Sequence, residues 1–190
     1  MWPVVEGKDG WLFRARSDFA TEFGPKPAVM AMLKQFVEAL DRRGSRLMMI
    51  YTPSRGLMER DKSVTPFNYP LALKNYRQTL ADYRKMGVIT PPLDQLIGQM
   101  AEDYYFKRDI HWTPAGSKAT AKLSAQLIKQ EPFYSQLPDK QYSTQVSGYS
   151  PIDGPMHRAA KQLCQQGYPM QYWNEYQTTE TSGADDLLAE

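Results

Sequence analysis

The sequence predicts an α/β sandwich built on a mostly parallel central sheet, and three observations carry that expectation. Leu47-Met48-Met49-Ile50-Tyr51 is an unbroken apolar run bounded by Arg46 and the Thr52-Pro53 turn, which is the pattern of a strand covered on both faces. Segments of helical period stand on either side of it. Further short apolar runs, Val88-Ile89 and Tyr104-Tyr105-Phe106, recur between the helical segments. Strand and helix alternating in this way lay helices over a parallel sheet.

Gly7 to Gly10 has turn chemistry and leads into Trp11-Leu12-Phe13, a short apolar strand. Pro27 to Arg43 carries Val29, Met32, Leu33, Phe36, Val37 and Leu40 at helical spacing, with Gly44 as the stop. After the 47–51 run, Leu71 to Met86 places Leu73, Tyr76, Leu80 and Tyr83 on one stripe and ends at Gly87. Pro91-Pro92 opens a further helix over Leu93 to Met100, and the helix after Thr113 turns Ala119, Leu123 and Leu127 inward. From Glu131 the character changes. Residues 131–176 read as a loop-rich insertion within a single domain spanning 1–190, with weak strands at 142–146 and 170–177 and a short helix from Arg158 to Gln165 ended by Gly167.

The 190 residues include 23 Lys and Arg against 21 Asp and Glu. A charge of +2 gives no field that argues for nucleic acid, although a locally basic groove would still admit an anionic sugar. No apolar run is long enough to span a bilayer. Met1-Trp2-Pro3 leads straight into the first turn without a charged and apolar leader, which by itself points to the cytoplasm. The lone cysteine, Cys164, excludes an internal disulfide and a zinc cluster, and its plain reading is a small buried hydrophobe.

The chemistry concentrates in Arg108-Asp109-Ile110-His111-Trp112-Thr113-Pro114-Ala115-Gly116. A carboxylate two residues ahead of a histidine can bond one ring nitrogen and leave the other free to act as a base. Thr113-Pro114 is also an N-cap followed by proline at the first helical position, so a bare Asp-x-His would be read as turn and packing. The longer pattern D-x-H-W-[ST]-x-x-G is far more specific. With "G-K-D-G-W-L-F" near the start and "Q-G-Y-P-M-Q-Y-W-N-E-Y" near the end, it resembles the SGNH-hydrolase-like domain of the alginate O-acetyltransferases of the AlgX and AlgJ type, with AlgX the better fit.

That resemblance implies an SGNH-like α/β/α sandwich in the bacterial periplasm. Its implied activity is the movement of an acetyl group onto hydroxyls of a polyuronate exopolysaccharide, alginate, with no cofactor and no metal. Asp109 and His111 take the roles of orienting acid and general base. The partners implied are the polysaccharide, an acetyl donor and other proteins of a periplasmic secretion complex. The nucleophilic serine lies in a Gly-[Thr/Asn]-Ser element that this sequence does not reach, so the domain reads as incomplete before that residue. The resemblance also pairs Cys164 with a cysteine upstream of the first turn. A carbohydrate esterase of the same family and a non-catalytic polysaccharide-binding or scaffold module are the alternatives.

Other residues have weaker claims. Ser54, in Pro53-Ser54-Arg55-Gly56, is the best internal nucleophile on offer but reads more economically as a loop residue. Arg55 can bind a uronate carboxylate through a two-pronged contact, or cap and pair structurally. Trp112 can stack on a sugar ring or wall the site, and Tyr172 and Trp173 can line a groove or pack within a sheet. His157 has no Asp-x-His context and reads as structural or exposed.

Overall fold

The computed structural model describes residues 4–165 and 167–181. Strand β1 (Val4–Glu6) pairs antiparallel with β2 (Leu12–Arg14) through the turn at Lys8–Gly10. Asp9 and Gly10 take φ of 52° and 73° there, the region where glycine is at no disadvantage. The hairpin drives Trp11, Leu12 and Phe13 into the interior, all at 2% exposure or less.

Helix α1 (Pro27–Asp41) starts on proline and ends at Gly44, whose φ is 71°. Its apolar positions do not make one inner stripe. Val37 is buried, and Met30 and Leu33 pack with it against Tyr83 and Val88, whereas Val29, Met32 and Phe36 are exposed. The apolar arc is wider than one packing face, and only half of it meets a neighbour among the described residues. Helix α3 (Tyr69–Lys85) follows its predicted pattern, burying Tyr76, Leu80 and Tyr83 and stopping at Gly87 with φ 87°. Between these lies the one-turn helix α2 (Arg55–Met58), whose N-cap is Ser54.

The sheet differs from expectation. Met48 and Ile89 form an isolated parallel bridge, with Met49 N donating to Ile89 O and Ile89 N to Leu47 O, each 2.9 Å. The two sheets of the described residues are antiparallel pairs. Among the described residues Leu47–Tyr51 is bridged on one side, by the segment at Ile89, and Ile50 is exposed rather than covered. The predicted helix at 93–100 shrinks to a 3-10 turn over Leu93–Leu96, because Gly98 takes a φ of 70° that no right-handed helix continues through.

Helix α4 (Pro114–Ile128) buries Gly116, Thr120 and Ser124, with the predicted line of Ala119, Leu123 and Leu127 half-buried beside it. A side chain at 116 would overlap the Tyr104 carbonyl, and the Tyr104 hydroxyl bonds Thr120 Oγ1 at 2.7 Å. Close approach of backbones set this face, not apolar content. Beyond α4 a long antiparallel ribbon pairs β3 (Tyr142–Ile152) with β4 (Gln171–Glu180), and α5 (Pro155–Cys164) lies between them in sequence. No helix of the described residues is long and apolar enough to cross a membrane.

Candidate active site

The Asp-x-His segment forms a closed loop. Tyr105 and Trp112 bridge antiparallel, Phe106 N donates to His111 O at 3.2 Å, and Thr113 N donates to Tyr104 O at 2.8 Å. Thr113 Oγ1 then caps α4 by accepting from Gly116 N. Within the loop, Asp109 Oδ1 accepts from the His111 backbone N–H at 2.8 Å and lies 2.5 Å from His111 Nδ1. The carboxylate can only accept, so the ring carries its proton on Nδ1 and leaves the Nε2 lone pair available as a base. The Asp109 side chain is 4% exposed and that of His111 is 70% exposed. A buried acid thus orients an imidazole whose reactive edge faces solvent.

That edge borders a cleft of about 590 Å³, lined among others by Arg14, Tyr51, Ser54, His111 and Trp112. Trp112 is exposed, edge-on to Tyr104, and walls the cleft. The Ser54 hydroxyl accepts from Leu57 N as the cap of α2. His111 bonds no serine hydroxyl among the described residues.

Arg55 contributes to the inner wall of the cleft but turns its guanidinium to the protein interior. It is 1% exposed. Nη1 donates to Phe106 O and Asp109 O, both at 2.8 Å, and Nη2 donates to Leu12 O and Lys107 O at 2.8 and 3.1 Å. The planar fork spends four N–H groups on backbone carbonyls, three of them in the Asp109 loop, and lies over the Trp11, Phe13 and Tyr105 rings. Burial lowers this guanidinium to about 10, against the opposing pull of Asp18 and Glu59, so it stays charged at neutral pH. Four residues on, Glu59 Oε1 accepts from Tyr104 N and Tyr105 N at 2.8 and 3.1 Å. One turn of helix therefore clamps the loop from both sides, with donors for its carbonyls and an acceptor for the amides leading into it. Burial pushes the Glu59 carboxyl up.

Residues beyond α4 complete the support. Gly154, the N-cap of α5, lies so close to Asp109 that a Cβ there would overlap the carboxylate. His157 N donates to Arg108 O at 3.1 Å, and Nδ1 of the buried His157 ring lies 3.1 Å from Asp153 Oδ1. Arg108 reaches Gly10 O at 3.1 Å and Pro169 O at 2.7 Å, over the ring of Tyr168. Trp173 packs edge-on to Phe106, whereas Tyr172 stacks on Tyr149 at the surface. Neither Glu59 nor Gly154 carries a local sequence signal, since their parts depend on contacts across 45 residues or more. The side chain of Cys164 lies outside the described residues. Among those residues no three His, Cys, Asp or Glu side chains converge as metal ligands would.

The family model described as SGNH hydrolase-like domain, acetyltransferase AlgX, matches residues 4–190. The chain belongs to the AlgX family. The alginate biosynthesis protein AlgX of Pseudomonas aeruginosa is 39% identical over 189 residues, which cover 96% of this chain and 40% of that protein. The solved structure of Pseudomonas aeruginosa AlgX superposes with a TM-score of 0.86 at 36% identity, over 94% of this chain and 45% of that one. The O-acetyltransferase domain of Pseudomonas putida AlgJ shares the fold, with a TM-score of 0.73 at 20% identity over 96% of this chain and 67% of that one. An α/β fold of the SGNH hydrolase-like kind is thereby established. The chain spans only 38% and 40% of the length of the first two AlgX relatives it matches.

Proposed function

We propose that this AlgX-family domain supplies the general base and orienting acid for acetyl transfer onto hydroxyls of a polyuronate exopolysaccharide, alginate, in the periplasm. The observation that carries the reading is the pairing at the cleft: a buried carboxylate on Nδ1 and an exposed Nε2. In the longer protein a serine hydroxyl attacks the carbonyl carbon of an acetyl donor while His111 Nε2 takes its proton. The tetrahedral intermediate collapses, and the donor's leaving group departs with that proton. A sugar hydroxyl then attacks the acetyl-serine; His111 takes the hydroxyl proton and returns it to the departing serine oxygen. Asp109 opposes the positive charge of the imidazolium in both steps. The domain is read as one α/β/α sandwich across 1–190, with 131–176 as an insertion. Leu47–Tyr51 and the segment at Ile89 are two strands of its mostly parallel sheet. Other proteins of a polysaccharide secretion complex are its partners.

The test uses the longer protein with an acetyl ester as donor and a mannuronate oligomer as acceptor, reading acetylated oligomer by mass spectrometry. His111→Ala should lower transfer by about a thousandfold or more while the protein stays folded. Unchanged transfer by that variant ends the reading. Acetate released to water with no acetylated oligomer makes the site an esterase. Oligomer binding with neither product makes it a scaffold.

A further inference from the structure

With Arg55 buried, the cation that the cleft presents beside His111 is Arg14. Its side chain is 32% exposed and is tethered to Asp18, which is fully buried. Arg14 Nε and Nη2 both donate to Asp18 Oδ1, at 3.1 and 2.6 Å, and the Arg14 backbone N–H donates to Oδ2 at 2.7 Å. The backbone bond holds the carboxylate, and the two guanidinium bonds it receives restrict the rotamer freedom of the Arg14 side chain. Its Nη1 has no partner among the described residues. Asp18 itself is held within 3.6 Å of Arg55 Nε, so the tether is rigid from behind.

We propose that Arg14 is the carboxylate-reading residue of this cleft, donating from Nη1 to the carboxylate of a hexuronate unit of the acceptor. The inference rests on the reading of the cleft as a sugar-acceptor site. A guanidinium already fixed by a buried acid loses little entropy on gaining a ligand. It can spare one Nη group for a carboxylate carrying a single charge per sugar ring. Tyr51 and Trp112 supply flat apolar walls for such a ring, and Ser17 and the exposed Glu22 on the same lining offer acceptors for its hydroxyls. Glu22 also disfavours a doubly charged ligand such as a phosphate monoester, by like-charge repulsion.

The experiment reads occupancy at the cleft itself, in the longer protein. Diethyl pyrocarbonate modifies the exposed His111, and peptide mass spectrometry follows that one position. A mannuronate oligomer should protect His111 at about tenfold to a hundredfold lower concentration than its carboxyl-reduced neutral counterpart, the worth of one charged hydrogen bond. Arg14→Gln should abolish that difference by weakening protection by the uronate oligomer alone, and Arg14→Lys should restore part of it. Equal protection of the wild type by both oligomers overturns the proposal without any variant. Equal weakening of both oligomers in Arg14→Gln also overturns it, by reducing Arg14 to a partner of Asp18. Arg14-dependent protection in a protein that transfers no acetyl group leaves this subsite standing and removes the acetyltransferase reading instead.

Discussion

The Asp109–His111 loop and the β3–β4 ribbon have similar loop-like composition, and the chain holds them in opposite ways. The ribbon is kept by a ladder of backbone bonds over ten paired positions, with most side chains in solvent. The loop has few backbone bonds of its own. It is fixed by two buried side chains from a distant segment that bond its main chain, Arg55 and Glu59, and by the close approach of Gly154, which leaves no room for a side chain beside Asp109. A ladder sets register but leaves an element free to bend as a whole. Side chains that bond a loop's carbonyls and amides set individual atoms, and a base and its orienting acid require that placement.

The comparison breaks most severely at Arg55. Arg55→Met strands four carbonyls and leaves Asp18 with Arg14 alone, so unfolding in urea should show a loss of about 3–5 kcal/mol. A loss below about 1 kcal/mol would mean that water replaces the fork and the clamp is dispensable. Gly154→Ala comes next. The added methyl must displace Asp109, so stability should fall by about 1–3 kcal/mol. Acetyl transfer by the longer protein should fall about a hundredfold. Activity near the wild-type level would show that α5 can retreat without moving the acid.

Glu59→Gln sharpens the comparison at smaller cost, since the amide oxygen accepts the same two N–H bonds without a buried charge. Burial raises the carboxyl above its ordinary 4.5, so the folded state holds a proton that the unfolded chain releases. Wild-type stability should therefore fall as pH rises from 4.5 through the raised value, a slope that Glu59→Gln lacks. Thermal melts of both proteins across that range check the sign, and parallel curves would refute it. The smallest effect belongs to the ribbon. Tyr176→Ser, at a half-exposed position opposite Val146, should shift stability by no more than about 0.5 kcal/mol. A larger loss in a melt would show that the ribbon's outer face is structural.

Much of this was legible in the sequence where the signal is local. The α3 stripe, the glycine stops at 44 and 87, and the Asp109–His111 pairing follow from spacing and turn chemistry over a few residues. Sequence leaves both roles of Arg55 open, because an arginine after a strand end reads the same whether it faces solvent or the main chain of a loop 51 residues away. Helix α4 was rotated by one position in the reading because Gly116 and Thr120 bury themselves by close approach and a hydroxyl bond to Tyr104, neither of which adds to apolar periodicity. The sheet was legible only in part: an apolar run marks a strand, but whether it is flanked on both sides depends on which other segments lie beside it, and the contact that shows here is the parallel bridge of Met48 to Ile89.

Arg108 joins Gly10, 98 positions earlier, to Pro169, 61 positions later, through the segment that carries Asp109. Contacts of such sequence separation form slowly, because the loop-closure entropy is lost before any bond compensates for it. The segment that carries the base and its acid is thus tied at once to the first hairpin and to the stretch that follows α5, and its final geometry requires both to be in place. The environment of the His111 ring thereby reports on contacts drawn from both ends of the described chain.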